Sequence, residues 1–313
     1  MTDTILDVEI GPANSDGQVV SINSGALNII ANPYKLDGRS SSHPLDVRGW
    51  TTMNTFALVE GEHVLVYSTG YSAHREALLA HLRKIVGQRT VSVAIPRPEW
   101  ASMCNARAIA DEFHKNFDQQ FVVHQRLINP PHLLLDFDAD SVGASSVLAG
   151  CQLRMLSSTT RTLVDPNGER GLDFIVPELR LLPTNWAYDS ATKTLFTGDA
   201  FCWVWKDEET GPWLVDAPET DPTTLERVAH SLSAGRYWWL EGAATQSIRV
   251  AIARLFENYE VRFIAPDHGA VIAGEAVSRH VGYLDEYLRL AARNPSIGIE
   301  AGQWKTSKMR ASA

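Results

Sequence analysis

Basic charge is in short supply in this chain. Lys and Arg number 28 against 37 Asp and Glu among 313 residues, a formal charge of -9 at pH 7. That balance argues against nucleic acid or an anionic membrane surface as the main partner. Cysteine is scarcer still. Cys104, Cys151 and Cys202 are few and odd in number, which speaks against a disulfide framework and fits free thiols in a reducing compartment. No run approaches the ~20 apolar residues needed to span a bilayer. The start, Met1 to Asp7, is acidic and lacks the basic-then-apolar order of a secretion leader. Internal repeats and low-complexity linkers are missing as well. These absences set the expectation of a soluble, cytoplasmic protein with one domain over residues 1–313. Within it, residues 1–50 read as an irregular lead-in and 303–313 as a loose polar tail.

What is present is apolar and patterned. A hydrophobic content of 44% allows a large core, and nine tryptophans are many for this length. Asn54 to Tyr67 reads as two β-runs around a Gly-containing turn, closed by Ser68-Thr69-Gly70. Ala73 to Val86 places Leu78, Leu79, Leu82, Ile85 and Val86 on one helical face, with Gly87 as a stop. Val91 to Ile95 is a short strand halted at Pro96, and a helix is predicted from about Met103 to Phe113. Phe121 to Val123 reads as another strand, whereas Pro130 to Ser157 gives no clear pattern. Two strands, around Arg161–Val164 and Leu172–Val176, bracket the turn Asp165-Pro166-Asn167-Gly168. Helices are predicted over Pro222–Ser233, Thr245–Tyr259 and Glu275–Ala292. This alternation favours two sheets covered by helices, an αββα layering of the α/β class.

Two stretches carry the chemistry. The first, Lys193-Thr194-Leu195-Phe196-Thr197-Gly198-Asp199-Ala200-Phe201, is a β-run that stops at Gly and presents Asp199 from a tight turn. With Trp186 to Thr192 it reads as a hairpin whose carboxylate is aimed from a rigid sheet rim. The second, Val261 to Gly269, runs an apolar strand into Pro266 and offers His268 on a Gly-bounded loop.

Together with the turn from Pro96 to Asn105 and the hairpin ending at Ser68-Thr69-Gly70, these motifs resemble the metallo-β-lactamase fold, its flavodiiron-like branch in particular. The resemblance covers roughly residues 50 to 290. It implies an αββα sandwich of two mixed sheets, with metal ligands from a His-x-Glu-x-Asp-His turn, a later His, a bridging Asp and a final His. Asp199 matches the bridging Asp and His268 the final His. The ligand turn falls on Arg97-Pro98-Glu99-Trp100-Ala101-Ser102, where only Glu99 keeps a ligand type. By spacing back from Tyr188, the later His falls on Arg180. A guanidinium does not coordinate metal, so a full dinuclear centre is not expected. The resemblance leaves either no cofactor or one divalent ion, zinc or iron, on Glu99, Asp199 and His268.

The function expected from this reading is hydrolytic. Arg97 and Arg180 would stabilise negative charge in place of metal, Glu99 or His268 would activate water, and Asp199 would complete the catalytic set. Trp100, Trp186 and Trp203 would line a flat apolar pocket for a small aromatic substrate. More loosely, the chain resembles the aryl ether and aryl halide hydrolases of this fold, such as chlorothalonil dehalogenases and two-subunit dinitroanisole O-demethylases. That likeness implies an activated aromatic substrate, for example a nitroaryl methyl ether. The alternatives are a non-catalytic subunit paired with a second metallo-β-lactamase-fold chain carrying an intact site, and a flavodiiron-like oxygen or redox protein. For each tryptophan, core filling is the competing explanation, and for the charged group a structural ion-pair cluster.

Overall fold

A computed structural model describes residues 7–97, 99–114, 121–125, 151–181 and 183–292. Most of the unpatterned stretch 130–157 and the tail expected from Gln303 lie outside these residues. Three strands open the chain: β1 (Val8–Ile10), β2 (Gln18–Ile22) and β3 (Leu27–Leu36). The lead-in is therefore more regular than expected, because Leu27–Leu36 pairs along its whole length with β4 (Gly49–Glu60). β5 (His63–Tyr67) completes the predicted hairpin, and α1 (Arg75–Val86) follows a single 3-10 turn. After β6 (Thr90–Ile95) the predicted helix is split into α2 (Trp100–Met103) and α3 (Ala106–Phe113). Asn105 causes the break. Its amide donates to the carbonyls of Thr69 and Tyr71, bracing the turn that leaves β5.

β7 (Phe121–Gln125) and β8 (Cys151–Met155) extend this first sheet in parallel. The second sheet holds β9 (Thr162–Leu163), β10 (Gly171–Ile175), β11 (Trp186–Asp189), β12 (Thr194–Gly198), β13 (Leu214–Val215), β14 (Phe263–Pro266) and β15 (Val271–Ala273). Three helices belong to it: α4 (Leu225–Ser233), α5 (Gln246–Asn258) and α6 (Glu275–Ala291). Among the described residues the sheets have eight and seven strands, ordered 1-2-3-4-5-6-7-8 and 13-15-14-12-11-10-9. Both mix parallel and antiparallel pairs.

The core sits in three apolar layers, as an αββα sandwich requires. Between the sheets, Phe56 and Tyr67 of the first meet Phe196 of the second, with ring centroids 4.9 and 5.0 Å apart. Outside the first sheet, Leu78, Leu82 and Val86 of α1 and Ile109 of α3 cover Val64, Val66 and Val93. Outside the second, α4, α5 and α6 pack with Trp186, Trp203 and Leu195. No described helix is long and apolar enough to cross a membrane.

One feature of the topology positions the site. β12 and β14 are parallel neighbours, so Gly198-Asp199 and Pro266-Asp267-His268 leave the sheet side by side at the same rim, joined by Asp267 N–H donating to Gly198 O at 2.9 Å. Strand β4 of the other sheet ties in the same turn. Asn54 Nδ2 donates to the carbonyls of Pro266 and Gly269, each at 2.8 Å, and Asn54 N–H donates to Asp267 O at 2.8 Å. The two sheets are thus stitched together where the charged residues emerge.

Candidate functional site: a buried arginine-carboxylate centre

Four strand ends deliver polar side chains to this rim. Ser68 follows β5, Arg97 and Glu99 follow β6, Asp199 follows β12, and Asp267 and His268 follow β14. Arg97 stands at the centre with no solvent exposure. Its Nη1 reaches Glu99 Oε2 at 2.8 Å and also contacts Asp199 Oδ2, while Nη2 lies 2.9 Å from Asp267 Oδ2. Its Nε donates to Ser102 Oγ at 3.3 Å. One guanidinium therefore holds three carboxylates.

The second cation is Arg236, which sequence reasoning missed. Its Nη2 sits 2.7 Å from Glu99 Oε1, and its Nη1 sits 2.9 Å from Asp199 Oδ2. Arg180, assigned this role by spacing, is elsewhere: it is exposed and donates to its local carbonyl at Pro177. The correction has a physical cause. Counting back from Tyr188 assumed a regular approach to β11, whereas the described residues between Pro177 and Trp186 form no strand or helix. The position is filled from the loop after α4 instead. Asp267 was also missed, read only as the residue before His268. Its place in a strand end parallel to Gly198-Asp199 was the available signal.

Burial and charge then decide protonation. Burial pushes Asp199 upward, but Arg97 and Arg236 outweigh it and hold the carboxyl at about 2. Burial pushes Asp267 up, with Asp199 and Glu99 adding to it, and outweighs Arg97 and the Ser68 hydroxyl, so it rises to about 6. Arg97 loses charge stabilisation through burial, yet its three acids more than restore it and its pKa is raised. These are charge contacts rather than aligned hydrogen bonds, since the Nη atoms of Arg97 and both oxygens of Asp199 and Asp267 have no well-directed partner.

His268 lies beside this cluster, fully buried and kept neutral because burial drives its pKa well below the usual value. Its Nδ1 is 3.1 Å from the Tyr34 hydroxyl, and its Nε2 has no partner. Tyr34 in turn lies 2.8 Å from Ser42 Oγ, which is 2.6 Å from Ser40 Oγ and 2.9 Å from His43 Nδ1. Burial lowers His43 to about 4, with help from Arg236.

The proposed aromatic rim is not there. Trp186 and Trp203 are 1% exposed and belong to the core under the helices. Trp186 packs on Phe201, and Trp203 donates from Nε1 to His280 Nδ1 at 2.9 Å. His280 continues to Asp221 at 2.8 Å, a buried polar chain that fixes the indole. Only Trp100, next to Glu99, is 40% exposed. Cys202 is a buried thiol pushed up by burial, unsuited to act as a nucleophile.

Glu99, Asp199 and His268 were the donors for a single divalent ion. The free Nε2 of His268 is the kind of atom a metal would take. Against it, the guanidinium of Arg97 already contacts both carboxylates and cannot give up its charge. A divalent ion at ~4 Å from that charge meets a repulsion of about 8 kcal/mol at an effective ε of about 20. Among the described residues no group of three or more His, Cys, Asp or Glu is arranged to hold a metal ion. The residues present do not fit the metal centre that the sequence resemblance implied.

The layered sandwich of two mixed sheets is metallo-β-lactamase-like in fold. Flavodiiron proteins are among the solved structures that share it. A metal-soaked flavodiiron core from Synechocystis is 15% identical with a TM-score of 0.58, over 91% of this chain and 62% of that one. The flavodiiron protein from Giardia intestinalis is 13% identical with a TM-score of 0.57, over 84% of this chain and 58% of that one. Rubredoxin oxygen:oxidoreductase from Desulfovibrio gigas is 13% identical with a TM-score of 0.57, over 84% of this chain and 60% of that one. The chain thus spans about 58–62% of the length of these proteins. No family model matches the sequence, and no curated protein matches it.

Proposed function

We infer that this chain is a metal-independent, hydrolase-type member of its fold, in which guanidinium charge stands where relatives carry ions. The observation that carries the reading is Arg97, unexposed and in contact with Glu99, Asp199 and Asp267 at once. Beside it, a neutral imidazole with an unpartnered Nε2 supplies a base. The substrate class stays that of an activated small aromatic, such as a nitroaryl methyl ether, supported now by the arginine pair and not by tryptophans. In that reaction His268 Nε2 takes a proton from water, and the oxygen adds to the ring carbon bearing methoxy. The ring anion is stabilised by the guanidinium charge. The carbon–methoxy bond then breaks, and the proton returns to give methanol and a phenol.

A second reading, that of a non-catalytic subunit, has its own support: both arginines are already engaged by Glu99, Asp199 and Asp267, which leaves neither cation unpaired for a substrate. In that case a related chain with an intact metal site supplies the chemistry. A flavodiiron-like redox role, the third reading, has the flavodiiron neighbours in its favour and a donor set closed by Arg97 against it. The experiment is to purify the chain alone and measure methanol and phenolate release from a nitroaryl methyl ether. It is then repeated with a related chain of this fold added. Turnover alone supports the first reading, and turnover only in the mixture supports the second. Stoichiometric iron or zinc in this chain purified alone would overturn both.

A further inference from the structure

The segment between β3 and β4 packs against Arg236, Tyr34 and His268. Leu36 and Gly49 are the last paired residues of the ladder, so residues 37–48 leave and re-enter at one point without interrupting it. Gly49 is the fixed end: its φ is 119°, and a Cβ there would lie 2.3 Å from Lys206 O. Gly38, with φ 89°, permits the turn at the other end. Val47 and His43 are its buried residues, Val47 in the core and His43 against the Trp205 ring, while Leu45 is 67% exposed. Apart from the His43 ring contacts, the ties of residues 38–46 to the body are polar. Arg236 donates from Nε to Ser41 O at 2.9 Å and from Nη2 to Ser41 Oγ at 3.0 Å. Asp46 meets His230 at 2.8 Å, and Ser42 meets Tyr34.

We propose that residues 38–46 are a lid over the arginine-carboxylate centre, latched by Arg236, and that closing it readies His268 as a base. With the lid shut, Ser42 accepts the Tyr34 O–H, so the Tyr34 oxygen accepts Nδ1–H of His268. The proton on that imidazole then resides at Nδ1, and Nε2 keeps its lone pair for water. With the lid raised, Arg236 loses its two contacts to Ser41, the centre opens to solvent, and nothing fixes the tautomer. Access and base strength are thereby tied to one motion.

The lid rests on the proposed function only for the role given to His268, and its test does not require turnover. Cys202 lies 5% exposed, with the His43 ring set against its backbone, so it reports opening. In a chain carrying Cys104→Ser and Cys151→Ser, the rate of Cys202 modification by an aromatic disulfide is measured from zero to moderate urea. A lid gives a rate independent of urea well below the unfolding transition. Ser42→Ala, which removes the lid's hydrogen bond to Tyr34 together with two bonds inside the lid, raises that rate about tenfold with a smaller change in global unfolding. Overturning results are modification that follows global unfolding in both proteins, or a Ser42→Ala effect no larger than its loss of global stability. A lid that opens in a chain without turnover would sink the chemistry alone. A chain that turns over while Cys202 reacts only through unfolding would sink the lid alone.

Discussion

Replacing Arg97 with Met isolates the balance on which the centre depends. The side chain is unexposed and contacts three carboxylates. Methionine keeps the volume and removes the charge. Arg236 still faces Glu99 and Asp199, but Asp267 loses the one cation that faces it. Removing one partner from a buried ion pair costs about 3–5 kcal/mol. At roughly 2–4 °C per kcal/mol for a domain of this order of size, the unfolding midpoint falls by about 6–20 °C. The loss depends on pH with a definite sign. Asp267 already sits at about 6, above its unfolded value, so it favours the folded chain when protonated and loses that advantage as pH rises through about 6. Without Arg97 its pKa rises further. The deficit of the variant is therefore largest near pH 8 and shrinks toward pH 5, where Asp267 carries a proton in both proteins. Urea unfolding of both proteins at the two pH values measures it. A deficit under about 1 kcal/mol at pH 8, or one that does not change with pH, would refute the claim that Arg97 neutralises these acids.

Arg97→His will not yield stoichiometric zinc, because Arg236 still contacts Glu99 and Asp199; elemental analysis after dialysis against zinc checks this. The chain will lose stability as pH falls below about 6.5. Burial holds His43 and His124 at about 4, so the unfolded chain takes up protons that the folded one refuses, and unfolding midpoints between pH 7.5 and 5 will show the decline. His43→Gln should flatten that slope. Asp199→Ala will abolish activity in whichever assay detects it, whereas Cys104→Ala will be tolerated; equal losses from both would point away from this rim.

Local pattern made most of the fold legible. The β-runs ending at Gly198 and Pro266 marked two strand ends, and the apolar faces of Arg75–Val86 and Glu275–Ala291 marked the outer helices. Asp199 and His268 were read from strand ends, each following a β-run halted in sequence at Gly198 or Pro266. Arg236 was not, because it lies in a loop 37 residues after Asp199 with no periodic signal; only the three-dimensional path of the chain brings it back. Arg180 was assigned by counting through a segment that does not keep strand geometry. The tryptophans went astray for a different reason: their neighbourhood in sequence to the site residues says nothing of which sheet face they point from. Trp186 opens a strand buried on both faces, so proximity put it in the core.

The peptide hydrogen bond that joins Asp267 to Gly198 has a consequence for how this rim can vary. It welds the two aspartate-bearing ends into one piece of backbone, so these anions are fixtures whose separation no side-chain substitution resets. The counter-cation comes from a different strand and a different loop, and is the interchangeable component. A chain built this way can vary the side chains that balance these anions while the scaffold beneath keeps its shape.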